Sequence, residues 1–296
     1  TWLLFSWICE LDPGAINTLD TYVSEGGRHF VRHLIMDYGA TLGSFTTRPK
    51  GIHEGTEHIV EVGRTLQSIG TLGLYRRPFQ ENRAEYEESI AQYPSLGWFP
   101  AETFDPEAYR PRIKVPAHMW RTARDLYWGA KLVTSFNDAQ LGALVAMAGM
   151  PARDSAALEH ALRVRRDIIG RRYLRAMSAV ENPAIAIDDA GKAEALCFDD
   201  LAIARGFATP FEVRYDVQIT DGRGTTLSTT ERLATGPRTC LPIGVASKGA
   251  GESGYRVVQV TTHLATGVAA SKASRVHLRW RAGEQRFAVV GLERDE

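Results

Sequence analysis

Residues 12–43, DPGAINTLDTYVSEGGRHFVRHLIMDYGATLG, decide the fold. Within them, residues 18–23 and 29–36 are rich in β-branched and aromatic side chains, which favour strands. The segment Ser24-Glu25-Gly26-Gly27 separates the two runs, and its two glycines can supply the positive φ of a tight hairpin turn. The stretch therefore predicts a loop, a β-hairpin and a second loop.

Three polar residues lie at the ends of this predicted hairpin. Asp12 and Asn17 share a loop that contains Pro13 and Gly14, and Asp37 follows the second strand directly. Because the open ends of a hairpin are adjacent, we expect Asp12, Asn17 and Asp37 to converge. Two carboxylates and an amide form an all-oxygen set, which suits Mg²⁺ together with substrate phosphates. The pattern therefore indicates phosphoryl transfer, although Asp and Asn are also common turn residues.

The order D-x-x-x-x-N, strand, turn, strand, D-[aromatic]-G resembles the catalytic half of protein-kinase-like enzymes. The resemblance implies Mg²⁺ and ATP as cofactors. It implies that Asp12 is the catalytic base that accepts the proton of the substrate hydroxyl. Asn17 and Asp37 would then be the metal ligands, with Asp37 joining Mg²⁺ to the phosphates. Gly39, the last residue of the D-Y-G motif, is assigned with Asn17 and Asp37 to the cofactor site.

A narrower resemblance covers most of the chain. The run W-x-x-x-x-D-x-x-x-x-N-T-L-D from Trp7, followed by R-H-L-I-M-D-Y-G-A-T-L-G-S, resembles an uncharacterised bacterial family with an atypical kinase-like core. Further similarity lies in residues 71–79, 93–111 and 196–207. This resemblance implies a kinase-like C-lobe and export to the periplasm or cell envelope.

The sequence also departs from the kinase pattern. The position two after Asp12, which is basic in the family, is Gly14, and neither H-R-D nor A-P-E is present. No glycine-rich phosphate loop or strand lysine precedes Asp12, and we therefore expect a fragment that lacks the nucleotide-covering lobe. Three hypotheses stay open: an active phosphotransferase with an unidentified acceptor, a catalytically inactive pseudokinase-like scaffold or binding protein of the bacterial envelope, and, less favoured, a metal-dependent hydrolase.

Composition limits the partners of the chain. Its 296 residues are 44% hydrophobic and 24% charged, which is enough for a buried core, and 35 basic residues balance 35 acidic ones. This balance gives no global field that favours nucleic acid as a partner. No apolar run is long enough to cross a bilayer, so we expect no transmembrane segment in this chain. Its three cysteines show no C-x-x-C spacing and predict no disulfide framework.

Periodicity predicts an α+β fold in which residues 1–180 form the mostly helical, kinase-like C-lobe. A stripe at three-to-four spacing, Ile59, Val62, Leu66 and Ile69, is expected to face the core. Helices are also expected at residues 122–134, after Asn137, and from about 154 to 177. We expect the arginines of the longest helix, among them Arg163, Arg165 and Arg166, to form a solvated face.

The pattern changes after Val180. Residues 181–210 predict a linker with one short helix near 199–205. Residues 211–296 predict a small antiparallel β domain, in which a protein partner could bind. Its five expected strands alternate apolar and polar side chains and cover residues 211–219, 225–233, 255–263, 275–281 and 286–292.

Overall fold

The computed structural model describes residues 1–187, 194–243, 254–264 and 270–295. These residues form an α+β protein with eight α-helices and with strands that pair antiparallel. The helices are α1 (Trp2–Ile8), α2 (Val62–Gly70), α3 (Arg83–Gln92), α4 (Pro116–Met119), α5 (Ala123–Val133), α6 (Asp138–Ala146), α7 (Ala152–Tyr173) and α8 (Leu201–Ala204). The strands are β1 (Thr18–Glu25), β2 (Arg28–Ile35), β3 (Ser44–Phe45), β4 (Arg48–Pro49), β5 (Val180–Ile187), β6 (Glu194–Asp200), β7 (Val213–Asp221), β8 (Thr226–Leu233), β9 (Arg238–Pro242), β10 (Tyr255–Leu264), β11 (Ser274–Arg281) and β12 (Arg286–Arg294).

The chain divides into two compact units. Unit 1 contains Thr1–Arg121 and Ser135–Ile168, and unit 2 contains Thr122–Thr134 and Ile169–Glu296. The boundary therefore differs from the one predicted at residue 180, because α5 belongs to unit 2. In that unit the Tyr127 hydroxyl on α5 donates to the Glu181 carboxylate over 3.0 Å, and Lys131 pairs with the same carboxylate at 2.7 Å. Local periodicity does not report long-range contacts of this kind.

The predicted hairpin is present in unit 1. Strands β1 and β2 pair antiparallel from Thr18↔Ile35 to Glu25↔Arg28. Gly26 and Gly27 turn the chain with φ of 57° and 74°, which side chains with a Cβ rarely adopt. Nearly every side chain of the two strands is exposed on both faces. The main-chain pairing and the two-glycine turn therefore hold this hairpin together.

The core of unit 1 is built around α1 and α7. The indole N–H of Trp7 donates to the carbonyl oxygen of Leu162 over 2.9 Å. Arg165 does not lie on a solvated face, and that prediction was wrong for this residue: its side chain donates to the carbonyl oxygens of Trp7 (2.8 Å) and Ser6 (2.6 Å). A guanidinium has several donors in a fixed plane, which lets it tie loop carbonyls together inside a core.

The apolar stripe of α2 was predicted to be buried, and this was also wrong. Ile59, Val62, Leu66 and Ile69 are between 63% and 65% exposed. Helical spacing places these side chains on one face, but it does not determine which element covers that face.

The five strands predicted for the end of the chain form one antiparallel sheet in unit 2, in the order β12-β11-β10-β7-β8. The predicted short helix is α8, which Asp200 caps by accepting from the N–H groups of Ala202 and Ile203. The segment predicted as a linker instead contains β5 and β6, which form a three-stranded sheet with β9. Alanine and acidic residues in this segment concealed the strand pattern.

Cys197 on β6 and Cys240 on β9 lie opposite each other and form a disulfide. The cysteine spacing predicted no disulfide framework, and this bond was missed because strand pairing brings together two cysteines separated by 43 positions. Within the described ranges, no helix combines the length and the apolar character that crossing a membrane requires.

Candidate functional site at the open end of the hairpin

The open end of the β1–β2 hairpin places Asn17 beside the residue that precedes Asp37. The main-chain N–H of Met36 donates to the carbonyl oxygen of Asn17, with N and O 2.9 Å apart. Asn17 ends a short 3₁₀ helix, Ala15–Asn17, and Asp37 lies two residues after Ile35, the last residue of β2. Asn17 and Asp37 therefore flank the same opening, as antiparallel pairing requires.

Asp12 is joined to Asn17 by side-chain hydrogen bonds. The Asn17 amide nitrogen donates to the carbonyl oxygen of Asp12 over 2.8 Å and approaches its carboxylate Oδ2 at 3.4 Å. Both residues are half-buried. Because these bonds use the Asn17 Nδ2, its Oδ1 stays available to accept from, or coordinate, another group.

The segment around Asp37 is fixed from the other side. The N–H of Gly39 donates to Asp37 Oδ1 over 2.7 Å, which orients an otherwise exposed carboxylate. The N–H of Leu11 donates to the carbonyl oxygen of Ala40 over 3.0 Å, so the chain before Asp12 is tied to the chain after Gly39. The structure thus brings together the segments that carry Asp12, Asn17, Asp37 and Gly39.

Sequence reasoning missed Glu10 as a member of this group. Glu10 is 1% exposed, and its Oε1 accepts from the N–H of Asp12 over 2.8 Å. Its Oε2 is buried and has no hydrogen-bond partner. Burial, with smaller contributions from the charges of Asp37 and Asp12, raises the Glu10 pKa to about 7. The available signal was an acidic residue at the end of the apolar run TWLLFSWIC.

The carboxylates at this opening are not paired with basic side chains in the part of the chain that the structure describes. In the residues that the structure describes, no ion pair involves Glu10, Asp12 or Asp37. A cation at the opening would therefore be stabilised by negative charge that is otherwise uncompensated. In the same residues, no group of three or more His, Cys, Asp or Glu side chains could hold a metal ion. Amide and phosphate oxygens would have to complete any coordination sphere here.

Gly14, which replaces the basic residue of the kinase pattern, is buried. A Cβ at this position would lie 3.3 Å from Ile113 Cδ1 and 3.9 Å from Asp12 Oδ1. A longer side chain would therefore have to displace Ile113 to approach the Asp12 carboxylate.

No protein-family model matches the chain, and a search of curated proteins also finds no match.

Proposed function

We propose that the chain carries the catalytic part of a kinase-like phosphotransferase that uses Mg·ATP. The observation that carries this proposal is the hydrogen-bonded opening of the hairpin. There the Met36–Asn17 and Asn17–Asp12 bonds hold the Asn17 amide beside the Asp12 carboxylate. Asp37 is the next residue after Met36. Kinase-like catalysis depends chiefly on positioning and electrostatics, so a fixed set of oxygen ligands is the essential requirement.

The side chains present are compatible with the implied cofactor. Asn17 and Asp37 would hold Mg²⁺ through oxygen atoms, with phosphate oxygens as further ligands. The negative charges of Asp12 and Asp37 favour a cation at this place, and they add to the effect of burial in raising the Glu10 pKa. Bound Mg·ATP would supply the transferable phosphoryl group and would neutralise charge on it.

The protein groups have separate roles in this proposal. The Asp12 carboxylate accepts the proton of the acceptor hydroxyl. The Asn17 amide orients Asp12 through its hydrogen bonds and presents Oδ1 to the metal. The N–H of Gly39 fixes the orientation of the Asp37 carboxylate by donating a hydrogen bond to its Oδ1.

An apolar surface next to this opening supports a nucleotide as the ligand. Leu19 on β1 and Leu34 on β2 lie directly opposite each other, one register position inside the terminal pair Thr18↔Ile35. They are 45% and 39% exposed. The flat aromatic base of a nucleotide can bury apolar surface against such a pair. The phosphates of the same nucleotide can then extend toward Asn17 and Asp37.

Gly14 favours a second candidate function, a pseudokinase-like protein that binds a nucleotide without transferring phosphate. No side chain at this position can contact the transferred phosphoryl group, and Ile113 occupies the adjacent space. The two candidates share a binding site and differ only in turnover.

Thermal unfolding with ATP, with and without Mg²⁺, tests the shared site. Ligand that binds only the folded state raises the melting temperature. We expect a Mg²⁺-dependent rise that Asp37→Asn abolishes and that Asp20→Asn retains. Asp20 is a matched control, because it lies further along β1, where it pairs with His33 at 2.6 Å. No Mg²⁺-dependent rise in the unsubstituted chain would contradict both candidates.

Turnover then separates the two candidates. Release or transfer of the ATP γ-phosphate that requires Asp12 supports the phosphotransferase. Mg·ATP binding without Asp12-dependent turnover supports the inactive binding protein.

A further inference from the structure

Unit 1 contains a partly open cavity with a volume of about 310 Å³. None of Asp12, Asn17 and Asp37 lines it. Its wall is largely apolar and aromatic, with Phe79, Trp98, Pro100 and Phe104 among its members. The volume is at the lower end of the range for small-molecule sites, about 300 to 1,000 Å³. The cavity can thus hold a small organic molecule with an apolar body.

Two buried cations also line this cavity. Lys50 and Arg165 are each 3% exposed. In the described part of the chain, neither forms an ion pair with a carboxylate. Glu54, the acidic residue nearest to Lys50 in sequence, pairs with Arg48 at 2.8 Å. Burying a charge without a directly paired opposite charge is costly, so an anion bound in the cavity would offset part of the cost of burying Lys50 and Arg165.

The hydrogen bonds of these cations go mainly to main-chain carbonyl oxygens. Lys50 Nζ donates to the carbonyl oxygen of Glu54 over 3.0 Å and also bonds to the Cys9 thiol. Arg165 donates to three carbonyl oxygens, those of Trp7, Pro100 and Ser6. An ammonium has three N–H groups and a guanidinium five, so each cation keeps donor capacity. Both can therefore bind an additional acceptor without giving up these bonds.

Electrostatics agree with this geometry. Burial lowers the pKa of Lys50, and it lowers the pKa of Arg165 to about 10. The acidic residue on the wall, Asp105, begins a short 3₁₀ helix and accepts from the N–H of Glu107 over 3.0 Å. A bound anion would favour the charged forms of both cations.

We propose that this cavity binds a small carboxylate with an apolar body, held at its acidic end by Lys50 and Arg165 and along its body by Phe79 and Phe104. The mostly apolar wall favours a singly charged carboxylate over a phosphate dianion, which needs more donors. This site is separate from the opening of the hairpin and does not depend on the proposed phosphotransferase activity.

Cys9 provides a reporter for this site, because it lines the cavity and is a free thiol, whereas Cys197 and Cys240 are joined in a disulfide. Iodoacetate and iodoacetamide are similar in size and differ in charge. We expect iodoacetate to alkylate Cys9 at least about tenfold faster than iodoacetamide, equivalent to about 1.4 kcal/mol. Lys50→Met should remove this preference, and Lys50→Arg, which keeps the charge, should retain it. Lys114→Met, a substitution of an exposed lysine outside the cavity, should leave it unchanged.

Benzoate provides the binding test. It should protect Cys9 from iodoacetamide in the unsubstituted protein, and neutral benzamide should not. Stronger protection by phenyl phosphate than by benzoate would overturn the choice of a carboxylate. Equal alkylation by the two reagents, or equal protection by benzoate and benzamide, would overturn the anion site itself. If Lys50→Met does not fold, the reagent preference of the unsubstituted protein decides the outcome.

Discussion

The N–H of Met36 donates to the carbonyl oxygen of Asn17 over 2.9 Å and closes the hairpin at the end that carries the candidate site. Asp37 follows Met36 directly, so this bond determines how near Asp37 comes to Asn17. The strands themselves contribute little burial, because their side chains are largely exposed. The geometry of the site therefore depends on the hairpin pairing and on the turn that sets its register.

The first prediction concerns the two-glycine turn between β1 and β2. Gly27 has φ of 74°, and placing a Cβ in this region costs about 1 to 2 kcal/mol. Gly27→Ala should therefore increase the hydrogen-exchange rate of the Met36 amide by about tenfold. Gly63→Ala is a matched control, because Gly63 lies in α2 with open space around its Cβ position. Equal exchange in the two variants would show that the turn does not hold the opening closed.

The buried Glu10 predicts a dependence of stability on pH. Its folded pKa of about 7 exceeds the ordinary value of 4.5, so the folded state favours the protonated carboxyl. This contribution is complete below about pH 4.5 and is lost as the pH rises through 7. Glu10→Gln should thus be more stable than the unsubstituted protein at pH 8, by roughly 3 kcal/mol at most, and similar at pH 4. Denaturant unfolding at both pH values measures the difference, and no pH-dependent difference would contradict the assignment.

The buried His118 predicts the opposite dependence of stability on pH. It is buried beside the Phe5 ring, and burial lowers its pKa to about 4 from 6.5. The unfolded state takes up a proton that the folded state excludes, so stability is lost as the pH falls from about 6.5 to about 4. His118→Leu should remove this loss, which is on the order of 3 kcal/mol. Denaturant unfolding at pH 7 and pH 4 should therefore show that His118→Leu loses less stability on acidification than the unsubstituted protein does. An equal loss in the two proteins would contradict the prediction.

The disulfide between β6 and β9 predicts a large loss of stability on its removal. In the chain-entropy account, a disulfide that closes a loop of 43 positions stabilises the folded state by about 4 kcal/mol relative to the unfolded state. The double variant Cys197→Ala and Cys240→Ala should lose a free energy of unfolding of about this size. Reduction of the unsubstituted protein should have the same effect, and reductant should not affect the double variant. A double variant as stable as the oxidised protein would contradict the prediction.

Much of the local structure could be predicted from the sequence. The two-glycine turn and the β-branched strands of residues 18–35 defined the hairpin, and alternation defined the five strands of the large sheet. These features depend on neighbouring residues, so short sequence patterns report them reliably. The same reasoning predicted that the segments carrying Asp12, Asn17 and Asp37 meet at one hairpin end, where the Met36–Asn17 and Asn17–Asp12 bonds lie.

The remaining features depend on contacts between residues far apart in the chain. The burial of Arg165, the pairing of Cys197 with Cys240 and the placement of α5 in unit 2 each arise from such contacts. The exposed face of α2 shows the same limit, because periodicity does not reveal whether a partner element exists. Glu10 was missed because its role follows from burial, which its residue type does not indicate.

Paramagnetic NMR tests the central proposal, a metal–nucleotide site at the open end of the hairpin, most directly. Mn²⁺ can replace Mg²⁺ in complexes with ATP, and it broadens the signals of nearby protons. We predict that Mn·ATP selectively broadens the Asn17 side-chain amide and the Gly39 main-chain amide, and that Asp37→Asn abolishes the effect. Sharp Asn17 and Gly39 signals at saturating Mn·ATP, or broadening centred elsewhere on the chain, would contradict it.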